Sequence, residues 1–504
     1  MLERYVKKIL AARVYDVAAT SPLQPLPVLS ERLDTTIVAK REDLQPVFSF
    51  KLRGAYNKMA QLSPEELKAG VVTASAGNHA QGVALGAAKL GTKARIVMGR
   101  NTPSIKVNAV RRHGAQIILH GDTYDDASKH AHALAEQEGL TYVHPYDDPE
   151  VIAGQGTVGK EIIDQSGGNL DAIFVPVGGG GLISGIALYV KYLRPDIRVI
   201  GVEAEGSACL AAAMAAGRRV RLPYETLDLF ADGVSVAQVG KETFKVCRRY
   251  VDEVVTVNTD EICAAVKDLY DDLRSVAEPA GALAVAGLKK MVEARGPQGR
   301  VAAVVSGANV NFDRLRHISE RAEVGEHREV ILGVTIPEEP GSFRKFCRAL
   351  GKRSVTEFNY RHADDKEAHV YVGAQTATPE DGRALIDKLV ADGYRVEDMT
   401  LNETAKLHVR HMVGGRTSNA APELLYRFEF PERPGALMRF LNGLGGRWNI
   451  TLFHYRNHGA AWGRVLVGFE GEASSRAPLQ KLLEDIGYRY WEESDNAAYR
   501  MFLR

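Results

Sequence analysis

Short runs of β-branched and other apolar residues alternate with helix-like segments between Ile37 and Val305. The alternation predicts an α/β fold, in which a mostly parallel sheet is covered by helices on both faces. Ligands bind at the carboxyl ends of the strands in such sheets, so the loops that follow strands are the first candidates for a functional site. The predicted strands span residues 37–40, 71–73, 95–98, 116–119, 172–175, 199–202, 253–256 and 301–305.

Prolines set two further expectations for local structure. Pro22, Pro25 and Pro27 predict a loop or an extended segment, rather than a helix, between residues 11 and 40. Ser63 followed by Pro64 predicts a helix that begins at the proline, with the serine as its cap.

Length and composition are typical of a soluble globular protein with more than one domain. The 504 residues are too many for one ordinary core, so two or three domains are expected. A formal net charge of +1 gives no electrostatic case for nucleic acid or an anionic membrane as a partner. We expect no signal peptide and no membrane span, and a cytoplasmic location suits cysteines that lack C-x-x-C spacing. These cysteines are Cys209, Cys247, Cys263 and Cys347.

Four consecutive glycines, Gly178, Gly179, Gly180 and Gly181, follow the predicted strand 172–175. Such a run has a conformational cost and is useful where the backbone must approach a ligand closely. A helix is expected after the loop, and main-chain N–H groups at a helix N-terminus bind phosphate. The loop matches neither G-x-x-x-x-G-K-[ST] nor a full G-x-G-x-x-G with its acidic partner. It therefore favours a small phosphate-bearing cofactor over a nucleotide, with a flexible linker as the alternative.

Three further stretches carry polar or charged residues near strand ends or helix starts. Residues 75–82 follow the strand 71–73 and lead into a helix, which is typical of an anion site but also of an ordinary capped turn. Residues 306–309 follow the last strand, where a simple turn is the alternative. Residues 49–54 place Lys51 between apolar neighbours, although most of the 64 lysines and arginines are expected to be solvated surface charges.

In chain order, Ser-Phe-Lys-x-Arg-Gly, Ser-x-Gly-Asn-His, the four glycines and Ser-Gly resemble the fold-type II family of pyridoxal-phosphate enzymes, and within it the threonine dehydratases. The resemblance covers nearly the whole chain. It implies a catalytic domain over residues 1–320 of the tryptophan synthase β-like type, with two open twisted sheets. It also implies that pyridoxal 5′-phosphate is the cofactor and that the chain is a threonine ammonia-lyase.

The resemblance implies a role for each matching residue. Lys51 would carry the cofactor as a Schiff base, with Phe50 beside the ring, and Asn78 would hydrogen-bond its 3′-oxygen. The four glycines would hold the cofactor phosphate, and Ser306 would face the pyridine nitrogen. The residues around the substrate carboxylate would be Ser75, Gly77, Asn78 and His79.

The implied reaction converts L-threonine to 2-oxobutanoate and ammonia, the first step of isoleucine biosynthesis. Burial and the cofactor would lower the pKa of Lys51, which could then take the α-proton of the substrate. An L-serine dehydratase stays open, because one methyl group changes selectivity by only about 1–3 kcal/mol. Ala76 stands where serine racemases have a second serine, which disfavours racemisation, and no added basic cluster suits the phosphorylated substrate of threonine synthase. Outside enzymes, the alternative is a non-catalytic amino-acid sensor with the same fold.

Two other segments match family features only in part. Several relatives bind a divalent metal through carboxylates after the strand 199–202. Glu203 is in place here, but Cys209 stands where a second carboxylate is expected, so no metal site is predicted. Residues 278–281, Glu-Pro-Ala-Gly, match a family motif that opens a helix near the site, and an acidic residue at a helix start explains them nearly as well.

The last third of the chain contains an internal repeat after a charged connector. Residues 337–343 recur as 431–437, each around a Pro-Gly pair. Each copy predicts the order strand, Pro-Gly turn, helix, two strands, helix, strand, which is a ferredoxin-like βαββαβ unit. The two units are expected at 329–402 and 424–497, with a linker near 414–419.

These two units resemble the ACT-like regulatory repeats of the long biosynthetic threonine dehydratases, which short catabolic relatives lack. A Pro-Gly turn that leads into a helix offers N–H groups to an amino-acid carboxylate, and so favours an allosteric site. The resemblance implies isoleucine as the inhibitor and valine as its antagonist. It also implies a homotetramer, and a purely structural or oligomerising module is the alternative.

Overall fold

The computed structural model describes residues 1–325, 328–337, 342–351, 353, 355–362, 367–411, 422–431, 436–444, 448, 450–456 and 462–503. The chain divides into two compact units, Met1–Ala322 and Glu323–Arg504. In the described part of the chain, no helix is both long and apolar enough to cross a membrane.

The first unit contains two sheets. Its strands are β1 (Leu23–Pro25), β2 (Thr36–Arg41), β3 (Val71–Ala74), β4 (Ala94–Met98), β5 (Gln116–Leu119), β6 (Thr141–Tyr142), β7 (Ala172–Pro176), β8 (Arg198–Ala204), β9 (Glu253–Val257) and β10 (Arg300–Val305). The larger sheet has the order β1-β2-β10-β7-β8-β9 and is parallel except for the edge pair β1–β2. The smaller sheet has the order β5-β4-β3-β6 and is parallel throughout. The predicted α/β class is confirmed, and each predicted strand is present.

Helices pack on both faces of the larger sheet, and the sequence of β7 shows why. Ile173, Phe174 and Val175 are consecutive, and all three are fully buried. Phe174 packs into one core with residues of the helices on one face, whereas Ile173 and Val175 pack into a second core on the other. Full burial of each such side chain contributes roughly 1.5–3 kcal/mol to stability. A strand with water on one face would alternate apolar with polar residues instead.

The helices of the first unit begin where the sequence supplies suitable residues. Ser63 accepts a hydrogen bond from the main-chain N–H of Glu66, and Pro64 takes the first helical position, as predicted. The expectation of no helix between residues 11 and 40 is wrong in part, because a helix begins at Pro27. Proline is tolerated at the first position of a helix, since the N–H group that it lacks would have no hydrogen-bond partner within the helix. The helices are α1 (Leu2–Leu10), α2 (Pro27–Leu33), α3 (Lys51–Met59), α4 (Pro64–Ala69), α5 (Asn78–Leu90), α6 (Ser104–Arg111), α7 (Tyr124–Glu138), α8 (Pro149–Ser166), α9 (Gly181–Leu193), α10 (Cys209–Ala216), α11 (Lys241–Tyr250), α12 (Thr259–Leu273), α13 (Pro279–Arg295) and α14 (Phe312–Gly325).

The second unit contains two antiparallel sheets that repeat one topology. The first repeat runs β11 (Glu329–Pro337), α15 (Ser342–Ala349), β12 (Val355–His362), β13 (Glu367–Gln375), α16 (Pro379–Ala391), β14 (Arg395–Asp398) and α17 (Glu403–Leu407). The second runs β15 (Glu423–Pro431), α18 (Ala436–Leu444), β16 (Ile450–Arg456), β17 (Trp462–Glu470), α19 (Arg476–Ile486), β18 (Arg489–Glu492) and α20 (Ala497–Phe502). The sheet orders, β12-β13-β11-β14 and β16-β17-β15-β18, are equivalent. The predicted βαββαβ units are confirmed. The Pro-Gly turns at 340–341 and 434–435 and the linker at 414–419 lie outside the described residues.

A short helix follows the last strand of each repeat, and the two helices meet. Asn402 and Asn496 are their N-caps, and they occupy equivalent positions 94 residues apart. Nδ2 of Asn402 donates a hydrogen bond of 3.3 Å to Oδ1 of Asn496. Helix α20 also contacts the first repeat, since the rings of Phe502 and Tyr371 lie edge to face with their centroids 5.4 Å apart. The closing helix of the second repeat therefore takes part in a core of the first.

Candidate active site

Lys51 is the first residue of α3, and hydrogen bonds tie the loop before it to the loop that follows β10. The main-chain N–H of Phe50 donates to the carbonyl oxygen of Ser306 at 3.2 Å, and that of Ala308 donates to Phe48 at 2.9 Å. Phe48 takes a left-handed φ of 54° between these contacts, a conformation that is uncommon for a bulky residue. The lysine loop and the Ser306 loop thus form one edge of a site, although Lys51 and Ser306 are 255 positions apart in the sequence.

The side chain of Lys51 is partly buried. Its Nζ donates a hydrogen bond of 3.1 Å to the carbonyl oxygen of Pro145 and lies 5.3 Å from the centroid of the Phe50 ring. Burial lowers the pKa of Lys51 to about 8, although the nearby carboxylate of Glu278 opposes the shift. With that pKa about a tenth of the amine is neutral at pH 7, several hundred times more than for an ordinary lysine. Such an amine can act as a nucleophile and as a base.

The four glycines follow β7 and lead directly into α9. The carbonyl oxygen of Gly179 fixes the position of this loop. It accepts hydrogen bonds from the Thr243 hydroxyl at 2.7 Å and from the main-chain N–H of Gly240 at 3.2 Å. Gly180 has a φ of +91°, which favours glycine over any residue with a side chain. The ring of Tyr146 lies so close that a Cβ on Gly179 would come within 2.3 Å of it.

This loop fits the phosphate of pyridoxal 5′-phosphate on steric grounds. A Cβ on Gly178 would lie 3.0 Å from the main chain of Val234, and one on Gly181 would lie 3.0 Å from Tyr146. Side chains at these positions would therefore fill the space beside the loop, and the glycines keep that space open. A backbone of this kind at the start of a 13-residue helix suits a small anion.

Asn78 begins α5, directly after the turn that follows β3. Its Nδ2 donates a hydrogen bond of 2.6 Å to Oε1 of Glu278, and its Oδ1 accepts one of 2.7 Å from Nδ2 of Asn309. The N-terminal half of α5 packs closely on the lysine helix, since a Cβ on Gly82 would come within 3.1 Å of the Lys51 carbonyl carbon. Asn78 is thus held beside Lys51 by neighbouring residues.

Ser75, Gly77 and His79, the other residues assigned to this turn, differ in their contacts. The Ser75 hydroxyl accepts a hydrogen bond of 3.3 Å from the N–H of Gly77, and a Cβ on Gly77 would meet nothing within 4 Å. His79 is buried, and its Nε2 lies 2.9 Å from the carbonyl oxygen of Val143, which requires the proton on Nε2. Its Nδ1 is buried with no hydrogen-bond partner among the described residues. Burial lowers the pKa of His79 to about 3, so the ring is neutral.

Ser306 directly follows β10 and is buried. Its hydroxyl donates a hydrogen bond of 3.3 Å to the carbonyl oxygen of Ala280, in the first turn of α13. The nearby carboxyl group of Glu278 is 4% exposed, and burial together with the charge of Asp232 raises its pKa to about 7.

Sequence reasoning missed the segment between β6 and α8, which contacts several parts of the site. Pro145 accepts the hydrogen bond from Lys51, and Tyr146 covers the glycine loop. Nδ1 of His144 accepts hydrogen bonds from the main chain of Tyr146 at 3.2 Å and of Asp147 at 2.8 Å, so it carries no proton. The Asp147 carboxylate in turn caps α11 through the N–H groups of Lys241 and Glu242, at 2.7 Å each. The position of this segment after a strand was the available signal.

Glu203 lies near the end of β8. Both carboxylate oxygens accept hydrogen bonds of 2.8 Å from main-chain N–H groups in the first turn of α10, those of Leu210 and Ala211. Cys209 is buried beside it, with its Sγ 3.5 Å from the carbonyl oxygen of Gly178. Among the residues that the structure describes, no group of three or more His, Cys, Asp or Glu side chains could hold a metal ion.

Comparison with known proteins agrees with this arrangement. Residues 14–307 match the family described as pyridoxal-phosphate dependent enzyme, and residues 320–409 and 414–503 both match the C-terminal regulatory domain of threonine dehydratase. The chain is 54% identical over 503 residues to the biosynthetic L-threonine dehydratase of Burkholderia multivorans, which covers 99% of both chains. The chain belongs to the biosynthetic threonine dehydratase family.

Other members of the family give the same picture. The biosynthetic L-threonine dehydratase of Escherichia coli is 54% identical over 501 residues, which cover 99% of this chain and 97% of that protein. A solved structure of threonine deaminase isoform 2 from Solanum lycopersicum, in its processed form, is 49% identical, with a TM-score of 0.62 over 64% of this chain and 93% of that one. The chain is thus a pyridoxal-phosphate-dependent lyase whose catalytic domain precedes two copies of the regulatory domain of threonine dehydratases.

Proposed function

We propose that this enzyme eliminates the α-proton and the β-hydroxyl group of L-threonine and releases 2-oxobutanoate and ammonia, with Lys51 at the centre of the site. The observation that carries the assignment of Lys51 is its partly buried amine, whose pKa is lowered to about 8 and whose loop is hydrogen-bonded to the Ser306 loop. The names of close relatives support the choice of threonine.

The residues present fit pyridoxal 5′-phosphate. Lys51 would hold the cofactor covalently with Phe50 beside its ring, the N–H groups of Gly178, Gly179, Gly180 and Gly181 would bind its phosphate, Asn78 its 3′-oxygen, and Ser306 its ring nitrogen. When bound, the cofactor supplies an electron sink for the negative charge that develops at the α-carbon. Ser306 is an uncharged partner, and the hydrogen bonds described above engage Glu278 with Asn78 rather than with Ser306.

Lys51 is the proton acceptor in this proposal. Substrate binding frees its amine, which then takes the α-proton. Because burial lowers its pKa, part of the amine is neutral and able to accept that proton near neutral pH. Phe50 covers one side of the amine and contributes no group that could donate a proton to it.

The turn before α5 is the proposed site for the substrate carboxylate. The main-chain N–H groups of Gly77, Asn78 and His79 lie at the N-terminus of a 13-residue helix, where a carboxylate is favoured, and the Ser75 hydroxyl lies in the same turn. His79 would contribute through its main chain, because Nε2 is engaged with Val143. Ala76 offers no proton donor on this turn, which supports elimination over racemisation.

L-Serine is the second candidate substrate, because it lacks only the methyl group of threonine. A pocket that contacts one methyl group discriminates by about 1–3 kcal/mol, so measurable serine turnover is expected alongside threonine turnover. A non-catalytic sensor would retain cofactor binding or amino-acid binding without product.

The second unit supports a proposal for regulation. We propose that isoleucine inhibits the enzyme and that valine opposes it, through the ACT-like repeats at 329–402 and 424–497 that follow a catalytic domain at 1–320. The equivalent topology of the two repeats and their shared core support a single responsive unit. We further propose a homotetramer and a cytoplasmic location, and the buried thiols of Cys209 and Cys247, which form no disulfide, suit that location.

The test is 2-oxobutanoate production from L-threonine by the purified protein, with and without L-isoleucine. Product that isoleucine suppresses, and that valine restores, is the expected result. Lys51→Ala should abolish the covalent cofactor band and nearly all turnover. Turnover near the wild-type rate in Lys51→Ala would overturn the assignment of the lysine, and cofactor binding without any product would favour the sensor.

A further inference from the structure

A chain of three hydrogen bonds links the lysine loop to Glu278 through Asn78. Nδ2 of Asn309 lies 2.8 Å from the carbonyl oxygen of Val47 and 2.7 Å from Oδ1 of Asn78. Nδ2 of Asn78 then lies 2.6 Å from Oε1 of Glu278. Only one member of this chain, Asn78, has a role in the proposed site.

The order of donors along this chain is fixed by chemistry. The Val47 carbonyl can only accept, so the Asn309 atom that faces it must be the amide nitrogen. The two hydrogens of that nitrogen are used by Val47 and Asn78, so Asn78 must present Oδ1 to Asn309. Its Nδ2 therefore points to Glu278, and one N–H hydrogen of Asn78 remains for another acceptor.

Both ends of the chain rest on well-held main chain. Glu278 is the N-cap of α13, a 17-residue helix, and its own N–H donates to the carbonyl oxygen of Gly307 at 3.1 Å. Asn309 follows Ala308, whose N–H donates to Phe48 at 2.9 Å. A flip of the Asn78 amide would set its oxygen against a carboxyl oxygen of Glu278 and its nitrogen against that of Asn309.

We propose that Asn309 and Glu278 are positioning residues that lock the carboxamide of Asn78 in one orientation, so that it offers a single N–H to an oxygen acceptor of the bound cofactor. The proposal rests on the proposed function, in which Asn78 contacts the 3′-oxygen of pyridoxal 5′-phosphate. It assigns a purpose to the Glu-Pro-Ala-Gly motif, which a simple helix start had explained nearly as well, and to Asn309.

Glu278 also carries charge close to Lys51, so orientation and charge must be separated. The charged groups that act on Glu278 are Asp232, Lys106 and Arg314, and Asp232 contacts both cations. Glu278→Gln removes the charge but keeps a side-chain oxygen that can accept from Asn78. Glu278→Ala removes both properties, and Asn309→Ala removes an orienting donor without changing any charge.

The test uses the holoenzyme and two readouts besides turnover, namely the visible absorption maximum of the bound cofactor and the pH midpoint of its titration. Each of Asn309→Ala, Glu278→Ala and Glu278→Gln is made alone and in an Asn78→Ala background. With Asn78 present, Asn309→Ala and Glu278→Ala should shift the band or its midpoint and lower kcat by roughly tenfold, the effect of one lost polar contact. The KM for threonine should change by less than about threefold, and Glu278→Gln should restore most of kcat.

The double variants decide the matter. In the Asn78→Ala background, Asn309→Ala and Glu278→Ala should have no further effect on band position or kcat. Equal effects in both backgrounds would overturn the proposal, because the residues would then act independently of Asn78. If Glu278→Ala fails to fold, Asn309→Ala alone gives the answer, since it leaves every charge in place. A wild-type protein without any visible cofactor band would instead refute the proposed function.

Discussion

The amine of Lys51 donates its hydrogen bond to the carbonyl oxygen of Pro145, 94 residues further along the chain. The next residue, Tyr146, packs against the glycine loop, so one short segment touches both the proposed covalent attachment point and the proposed phosphate cradle. A carbonyl oxygen accepts from an amine whether the amine is charged or neutral. This contact therefore orients the lysine without fixing its protonation state.

Lys51 should titrate near pH 8 in the cofactor-free protein. Burial favours the neutral amine, so the rate of covalent capture of added pyridoxal 5′-phosphate should rise with pH and level off above about pH 8. Growth of the visible absorption band after mixing measures that rate, and Lys51→Ala is the blank. Glu278→Gln should move the midpoint lower, because the carboxylate raises the pKa of Lys51. A midpoint near 10.5 would contradict the buried environment.

Gly179→Ala should weaken binding of pyridoxal 5′-phosphate. The added methyl group would come within 2.3 Å of the Tyr146 ring, so loop or ring must shift, at a cost of about 1–3 kcal/mol. Gly77→Ala is the matched control, because its Cβ would meet nothing within 4 Å. Equilibrium titration of the cofactor-free proteins gives both affinities. Tyr146→Ala should raise the cofactor affinity of the Gly179→Ala protein, because it removes the ring that the added methyl group meets. The same substitution should not raise the cofactor affinity of the wild-type protein.

Arg53→Ala should strongly destabilise the first unit. Arg53 is fully buried and donates to Glu42 at 2.7 Å and to Glu161 at 2.6 Å, so its removal leaves two buried carboxylates short of a partner. The expected loss is about 3–5 kcal/mol, measured from urea unfolding curves. Lys7→Ala removes an exposed pair with Glu3 and should change the same free energy by less than about 1 kcal/mol. Similar losses in both variants would show that the buried network contributes no special stability.

Glu278 should make the stability of the cofactor-free protein fall between pH 5 and pH 8. Its pKa is raised from 4.5 to about 7 on folding, so the folded state holds the proton more tightly. The stabilisation is complete below pH 4.5 and is lost as the pH rises through 7. Relative to wild type, Glu278→Gln should therefore gain on the order of 2 kcal/mol between pH 5 and pH 8, from urea unfolding at each pH. A pH-independent difference between the two proteins would contradict the raised pKa.

The site was predictable where function imposes a local requirement. A covalent lysine and a side-chain-free cradle leave marks in a few adjacent residues, and Lys51 and the glycines stand at strand ends or helix starts as expected. The link between Asn78 and Glu278 is different, because the two residues are 200 positions apart and meet only after the sheets have formed. Pro145 and Tyr146 were missed for a different reason. They contact the site through a main-chain carbonyl oxygen and an aromatic ring, and neither belongs to a recognisable sequence motif.

The fold followed from periodicity, with one instructive error. Parallel strands that are buried on both faces appear in the sequence as apolar runs. In the last third of the chain, alignment of the two copies of the repeat indicated the order of strands and helices in each copy. Helix α2 was missed because proline was taken as a sign against helix throughout residues 11–40. Pro27 stands at the first helical position, where proline is favoured.

The closing helix of the second repeat completes a core of the first repeat. Phe502 and Ala498, from the closing helix of the second repeat, lie in one core with Ile331 and Tyr371 of the first, while Tyr499 on the same helix packs on Leu425 and Leu466. A chain cut after the first repeat would expose the part of this core that Ala498 and Phe502 cover. The stability of the first repeat should therefore depend on α20, a helix of six residues that follows the second sheet in the chain.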